Sequence, residues 1–159
     1  MDIENEVVLT AGGLKKIEDE LEHLRTVHRR EVADRIRDSK QFGELAENAE
    51  YEDAKMEQAF IEGRILDLKR ILHSAIVICE DEVQTDSVGI GSKVKVKELG
   101  IKEKWEFTIV GSVEADPLED RVSNESPVGE ALMEHKVGDT VEVHTPEGPT
   151  KYKIISISK

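Results

Sequence analysis

The chain has 159 residues, of which 36% are charged and 38% hydrophobic, and its formal net charge is −13 at pH 7. This charge argues against nonspecific binding to nucleic acid or to an anionic membrane, although it leaves room for a locally basic face. The single cysteine, Cys79, excludes an intramolecular disulfide and a cysteine zinc cluster, and the apolar run before it predicts a buried thiol. No signal peptide or membrane-spanning stretch is recognisable, so we expect a cytoplasmic protein without a membrane partner.

The first predicted element is a long helix that follows Thr10, a candidate N-cap. Apolar residues at spacings of three and four form its first stripe: Leu14, Ile17, Leu21 and Leu24. Val32 and Ile36 continue the stripe at a shifted phase, whereas the in-phase positions, His28 and Glu31, are polar. The shift predicts that this helix departs from a regular coiled-coil supercoil.

A second long helix is predicted after Gly43, the strongest interruption in the N-terminal half. Residues at alternating steps of four and three form its a/d seam: Ala54, Gln58, Ile61, Ile65, Leu68, Leu72 and Ala75. Two helices joined by a few residues must run antiparallel. We therefore predict a coiled-coil hairpin over residues 1–78, with its turn near residues 43–51.

The C-terminal half predicts a small twisted β-sheet with one short helix. Apolar and polar residues alternate in four segments, as they do in half-buried strands: 93–97, 105–110, 140–143 and 152–157. Ser126 and Pro127 provide an N-cap and a first-turn proline for a helix over residues 127–135. With residues 79–87 as a polar linker and 88–159 as the second domain, the predicted fold class is α+β.

The most informative local feature is a run of acidic residues between the two helix patterns. Five carboxylates occupy ten positions without Lys or Arg among them: Glu44, Glu47, Glu50, Glu52 and Asp53. Carboxylates crowded at an exposed turn repel one another, so stability alone does not explain them. One interpretation is that Glu44 and Glu47 complete a Mg²⁺ site supplied largely by a partner, because Mg²⁺ requires several oxygen ligands. The other is that these acids interact with the dipole of the second helix.

Aromatic and amide side chains flank the acidic run. Phe42 and Tyr51 are expected either to pack across the end of the hairpin or to contact a nucleotide base. Asn48 is a candidate N-cap for the second helix. All three are therefore candidates for shaping the tip.

Basic residues gather on the first helix: Arg25, Arg29, Arg30, Arg35, Arg37 and Lys40. They are either a solvated helix surface, with Glu31–Arg35 as an i,i+4 pair, or contacts for phosphate groups. Lys40 and Lys55 flank the acidic run in sequence, and they are, with Arg37, the candidates for binding RNA phosphates.

Five stretches make the chain recognisable. They read GELAENAEY at 43–51, EQAFIEGRI at 57–65, IVGSVEADP at 109–117, SNESP at 123–127 and TPEG at 145–148. Together they resemble the bacterial Gre transcript-cleavage factors, and most of all the GreA type. The likeness covers essentially the whole chain, with motifs in both halves at the spacing of the family.

The resemblance implies an antiparallel coiled coil followed by a domain of FKBP-like fold. It implies that this second domain docks at the rim of the secondary channel of bacterial RNA polymerase, and that the coiled coil enters the channel. The docking contact is placed, by resemblance, at four residues: Asn124, Glu125, Ser126 and Pro127. The functional tip acids of the family fall on Glu44 and Glu47, and its flanking basic positions fall on Lys40 and Lys55.

The resemblance also implies an activity. The factor stimulates the polymerase's own Mg²⁺-dependent cleavage of backtracked nascent RNA at its 3′ end, so it is a protein cofactor and not an enzyme. No cofactor is bound tightly, and Mg²⁺ is shared between the polymerase active centre and the two tip acids. One position departs from the family pattern, because the first tip acid is usually Asp and is Glu44 here.

Two rival functions remain open. In the first, the chain is a Gre-like inhibitor that occupies the secondary channel of the polymerase without stimulating cleavage. Glu44 in place of Asp keeps this alternative open. A plain interaction module would use the hairpin as an adaptor with an inert tip.

Overall fold

The computed structural model describes residues 6–41 and 49–159 of the chain. It combines long helices with a β-sheet, which confirms the predicted α+β class. The chain forms two compact units: a helical unit, Lys15–Ser74, and a sheet unit, Met1–Leu14 with Ala75–Lys159. None of the helices in these described ranges is both long enough and apolar enough to cross a membrane.

The helical unit consists of two antiparallel segments. Its elements are α1 (Ala11–His23) from Lys15 onward, a π-helical segment (Leu24–His28), α2 (Arg29–Lys40) and α3 (Ala49–Ser74). Three ion pairs show that the two segments run antiparallel, since the residue number rises along one segment as it falls along the other. They join Glu20 to Arg64, Arg29 to Glu62 and Arg35 to Glu57. Apolar side chains of both segments are buried: Ile17, Leu24, Val32, Ile36, Ala54, Ile61, Ile65 and Leu68. The seam predicted for the second helix is thus present in α3 except for its last member, Ala75, which lies in a strand.

The π-helical segment lies where the apolar stripe of the first helix changes phase. Leu24, Val32 and Ile36 are buried and His28 is half-buried, so the inward positions recur at steps of four. In an α-helix with 3.6 residues per turn, side chains spaced four apart would rotate gradually away from the facing helix. A π turn contains more residues per turn, so it brings these side chains back toward the facing helix. The predicted departure from a regular supercoil is confirmed, and its cause is this local turn.

Two strands that the sequence patterns do not predict flank the hairpin. β1 (Val7–Thr10) pairs in parallel with β2 (Ala75–Ile78), and both belong to the sheet unit. Both are short, largely apolar runs, which periodicity alone cannot assign to a strand. The helical hairpin therefore ends at Ser74, short of residue 78. Cys79 is exposed just beyond β2, which corrects the expectation of a buried thiol.

The larger sheet has five strands: β3 (Lys93–Glu98), β4 (Lys104–Val110), β5 (Arg121–Ser123), β6 (Thr140–Thr145) and β7 (Gly148–Ser158). Their order is β5-β4-β3-β7-β6. A helix, α4 (Pro127–Leu132), ends before the predicted residue 135, since Met133 leaves the helical conformation and Glu134 has a φ of 66°. One sheet face and α4 enclose the core: Val88, Val94, Val96, Phe107, Ile109, Leu132, Val141, Val143 and Ile154.

The start of α1 is held by a distant carboxylate. Thr10 Oγ1 accepts a hydrogen bond from Gly13 N at 3.1 Å, which confirms the predicted N-cap. Glu114 accepts from Thr10 N at 2.8 Å and from Thr10 Oγ1 at 2.6 Å. In a capping box the acid comes from the third helical residue, which here is Gly13. A Cβ at Gly13 would lie 1.9 Å from Glu114 Oε1, so the glycine leaves the space that Glu114 fills.

Candidate functional site

Four of the predicted tip residues, Phe42, Glu44, Glu47 and Asn48, lie outside the described residues. Their assignments, including the shared Mg²⁺ site, stay predictions. Over residues 6–41 and 49–159, no group of three or more His, Cys, Asp or Glu side chains is arranged to hold a metal ion. What the structure places are the side chains on either side of the acidic run, at the end of α2 and the start of α3.

The last turn of α2 carries two of the predicted phosphate ligands. Lys40 is its final residue, and it is exposed without an ion pair to any residue that the structure describes. Arg37 lies one turn earlier on the same helix face. Its Nη2 donates to Asp34 Oδ1 at 2.9 Å, so part of its charge is already balanced. Lys40 is therefore the cation more available to an incoming anion.

The start of α3 carries the other predicted tip residues, Tyr51 and Lys55. Lys55 Nζ lies 5.9 Å from the centroid of the Tyr51 ring, at the outer limit of a cation–π contact, and 3.5 Å from Gln58 Oε1. Because the antiparallel register pairs Arg35 with Glu57, Lys40 is about level with the first turn of α3. Both lysines therefore lie at the same end of the helical unit.

The rest of the predicted basic cluster separates into paired and unpaired members. Arg29 binds Glu62 through Nε at 2.8 Å and Nη2 at 2.9 Å, and Arg35 binds Glu57. Both partners lie on α3, so the expected Glu31–Arg35 pair within the first helix is replaced by a pair across the hairpin. Arg25 and Arg30 form no ion pair within the part of the chain that the structure describes. The sequence pattern alone did not distinguish the arginines that pair across the hairpin from those that remain unpaired there.

Glu57 connects two basic side chains of the other segment. Its Oε1 lies 2.8 Å from His28 Nε2, and its other oxygen accepts from Arg35. The hydrogen bonds of His28 and then Arg35 favour the ionised carboxylate and hold the pKa of Glu57 below its ordinary value of 4.5. A lowered carboxyl pKa stabilises the fold above the pKa of the unfolded chain, and this contribution disappears as the pH falls through the folded-state pKa.

We expect Glu57→Gln to reduce the acid sensitivity of the helical unit. Wild type should lose more thermal stability than the variant when the pH is lowered from 6 through the ordinary carboxyl pKa of 4.5 and below. Melting curves followed by circular dichroism at 222 nm measure this difference. Parallel pH profiles for the two proteins would show that Glu57 does not contribute to stability in this way.

The predicted docking segment forms a braced turn before α4. Ser126 Oγ caps the helix by accepting from Gly129 N at 3.1 Å and donates to Ser123 O at 2.7 Å. Asn124 N donates to Val110 O at 3.0 Å, which ties the segment to β4. The side chains of Glu125 and Pro127 are exposed. The structure thus shows a helix start whose outer side chains remain accessible.

Ser112, which lies just after β4, contacts this segment and was missed by the sequence reasoning. Its Oγ donates to Glu125 Oε2 at 2.6 Å and lies 3.0 Å from Ser123 Oγ, which accepts from Glu125 N at 3.0 Å. These bonds fix the direction of the Glu125 carboxylate. Ser112 is thirteen positions from Glu125 and shares no local pattern with it, so only the fold brings the two side chains together.

Comparison with known families gives two matches that cover most of the chain. Residues 7–77 match the family described as "Transcription elongation factor, N-terminal". Residues 83–159 match the family described as "Transcription elongation factor, GreA/GreB, C-term". The gap between the matches falls at residues 78–82, where β2 ends and a 3₁₀ turn follows.

Individual relatives extend over the full length. The transcription elongation factor GreA of Acetivibrio thermocellus is 55% identical over 159 residues, covering 100% of both chains. That of Clostridium acetobutylicum is 51% identical over 157 residues, covering 99% of both. Among solved structures, GreA factor homolog 1 of Thermus thermophilus is 29% identical, with 98% of this chain and 100% of that chain covered and a TM-score of 0.45. GreA/GreB of Nitrosomonas europaea is 20% identical, with 98% and 99% covered and a TM-score of 0.43.

Proposed function

The chain belongs to the GreA/GreB family of transcription elongation factors, and we propose that it rescues backtracked RNA polymerase in the cytoplasm by stimulating cleavage of the nascent RNA. The chemistry belongs to the polymerase, and this chain acts as its protein cofactor. The observation that carries the proposal is the two-helix hairpin, because α2 and α3 directly adjoin the acidic run in sequence and carry Lys40 and Lys55 at that end.

In this proposal, Glu44 and Glu47 provide the carboxylates that the reaction requires. Oxygen ligands suit Mg²⁺, but two carboxylates are fewer than an octahedral ion needs, so the remaining ligands come from the polymerase. When bound there, Mg²⁺ stabilises negative charge on the reacting phosphate and activates water. Glu44 and Glu47 would supply part of the coordination of this ion and would orient the attacking water.

The cations beside the acidic run would hold the RNA. Lys40 is exposed without a described ion-pair partner, and Lys55 Nζ lies near the Tyr51 ring and Gln58 Oε1. Ammonium groups on flexible side chains bind phosphates as point charges and give position without sequence preference. Arg37 is the third proposed contact, and it must share its guanidinium with Asp34.

The sheet unit would supply the docking contact at the rim of the polymerase secondary channel. We assign this contact to the segment Asn124–Pro127. Support comes from its braced backbone, from the exposure of Glu125 and Pro127, and from the Ser112 hydrogen bond that directs the Glu125 carboxylate. A rigid segment loses little entropy on binding, which favours docking.

The proposal is tested with purified bacterial RNA polymerase stalled in a backtracked complex on 5′-labelled RNA. Adding the protein with Mg²⁺ is expected to accelerate shortening of the transcript on the order of 100-fold over polymerase alone, the scale of positioned acid–base catalysis. Electrophoresis of the labelled RNA gives the rate. If the transcript keeps its length and nucleotide addition by active complexes slows instead, the protein is the channel inhibitor.

A further inference from the structure

The outer face of the five-stranded sheet carries a row of three lysines on adjacent strands. The register places Lys97 of β3 directly opposite Lys104 of β4 and directly opposite Lys153 of β7. Directly opposite residues of antiparallel strands share a face, and this face is the one turned away from buried Val96 and from α4. Two strand spacings separate the ends of this three-lysine row, which makes it about 10 Å wide.

The row is open in the structure. Lys104 and Lys153 are exposed, and Lys97 between them is half-buried. The β1–β2 pair approaches β4 at its other end, where a Cβ on Gly111 would lie 2.0 Å from Val8 O. That end of β4 is roughly 20 Å from Lys104, given the rise per residue of a strand. The β1–β2 pair therefore leaves the three-lysine row uncovered.

The charge of the row is not balanced within the sheet. None of the three lysines forms an ion pair within residues 6–41 or 49–159, and like charges directly opposite one another destabilise a sheet. Nearby lysines differ, since Lys95 lies opposite Glu106 and Lys151 lies opposite Glu142. A concentrated positive charge on a chain of net charge −13 indicates an external anion as the ligand.

We propose that the three-lysine row binds the phosphate backbone of duplex DNA. Over about 10 Å of helix axis, one strand of B-DNA carries about three phosphates. Lysine is depleted in protein–protein interfaces but frequent in phosphate contacts, and a carboxylate partner is better matched by the arginine fork. The aromatic side chains of these strands, Trp105, Phe107 and Tyr152, share the face of the core. Unpaired bases therefore lack a stacking surface on the outer face, which favours a duplex over a single strand.

This contact goes beyond cleavage stimulation and does not depend on the acidic run. The net charge of −13 opposes association of the free protein with DNA, so the isolated contact is weak. A factor already held on a transcribing polymerase meets nearby DNA at a high effective concentration, where a weak contact becomes occupied. The three-lysine row then adds a second anchor for the sheet unit.

The experiment is a titration of the full ¹⁵N-labelled chain with a 12-base-pair duplex DNA, followed by amide chemical shifts at 50 mM and 200 mM salt. We expect the largest shifts at residues 95–97, 104–106 and 151–154. Release of counterions from three phosphates gives a salt slope of about −2.7, so the affinity should fall by about 40-fold between the two salt concentrations. An absence of shifts, or shifts confined to the helical unit, would overturn the proposal.

Matched charge reversals separate the row from overall charge. Lys97→Glu with Lys153→Glu is expected to weaken DNA binding at least tenfold, whereas Lys69→Glu with Lys136→Glu, which changes the net charge equally, should leave it within twofold. The first variant turns the like-charge pair of positions 97 and 104 into an opposite-charge pair and leaves positions 97 and 153 with like charges, so its melting temperature should change little. Equal losses of DNA affinity in both variants would show that only the net charge matters, and this would overturn the proposal. Tighter binding of a 12-residue polyglutamate peptide than of the duplex would identify an acidic protein surface as the ligand and overturn the assignment to DNA.

Discussion

Replacing Glu44 and Glu47 together by alanine is expected to lower stimulated RNA cleavage by on the order of 100-fold or more, while affinity for polymerase stays nearly unchanged. The reason is that the two carboxylates supply ligands for the shared Mg²⁺ and orient water, whereas docking belongs to the sheet unit. The rate of transcript shortening in a backtracked complex measures the first effect. Competition with labelled wild-type protein for polymerase measures the second.

Two controls give this comparison its meaning. Glu50→Ala with Glu52→Ala removes the same charge from the first turn of α3 and should retain most of the activity. Glu44→Asp keeps the carboxylate and restores the usual family residue, and since a shift of about 1 Å can change a rate by about 100-fold, it tests whether side-chain length limits this factor. Normal cleavage by the double alanine variant would refute the assigned role of the acids.

Gly129→Ala is expected to destabilise the sheet unit by about 3 kcal/mol, the upper range for forced overpacking. Gly129 is buried in the first turn of α4, and a Cβ there would lie 2.0 Å from Ser123 O and 3.1 Å from Asn124 Cα. Both are backbone atoms, so a rotamer change cannot relieve the contact. The clash must displace the segment that we assign to docking, so the affinity for polymerase should fall together with the melting temperature.

Gly63→Ala is the matched control, because it makes the same chemical change on the exposed side of α3. No atom lies within 4 Å of the added Cβ, so the helix propensity of alanine should raise stability by about 0.8 to 1 kcal/mol. Thermal melting of both variants, with polymerase affinity measured in parallel, distinguishes the two cases. If Gly129→Ala kept wild-type stability and affinity, the tight approach of α4 to the Ser123 carbonyl would not be required.

Features with a local period were predictable from the sequence. The buried residues of α3 are seven, four and three positions apart, and Val94 and Val96 alternate with lysines, so periodicity alone assigns their inward faces. The cap at Thr10 was equally visible, because its hydrogen bond closes over three residues. In each case the residues that determine the feature lie only a few positions apart in the sequence.

Features that join distant residues were not predictable in the same way. Glu114 completes the cap of α1 from 104 positions away, and nothing in the sequence near Thr10 specifies it. The pairing of Arg35 with Glu57 depends on the helix register, as the three-lysine row depends on the strand register. At the candidate site, residue types indicated which groups were present. Only the fold showed that Arg29 pairs with Glu62 and that Lys40 has no ion-pair partner among residues 6–41 and 49–159.

The parallel pairing of β1 with β2 means that the hairpin is an insertion within the sheet unit rather than a segment that precedes it. Bringing the ends of roughly 60 flexible residues together costs roughly 3 to 4 kcal/mol in chain entropy, beyond a constant term. A hairpin of neighbouring helices folds on contacts close in sequence and brings its own ends together as it forms. During synthesis on the ribosome, the helices are complete long before β7. The folded hairpin therefore holds β1 beside β2 before the rest of the sheet unit has been synthesised. Shortening the insertion by equal numbers of helical turns on both arms would preserve that closure, whereas trimming one arm would misalign the two strands.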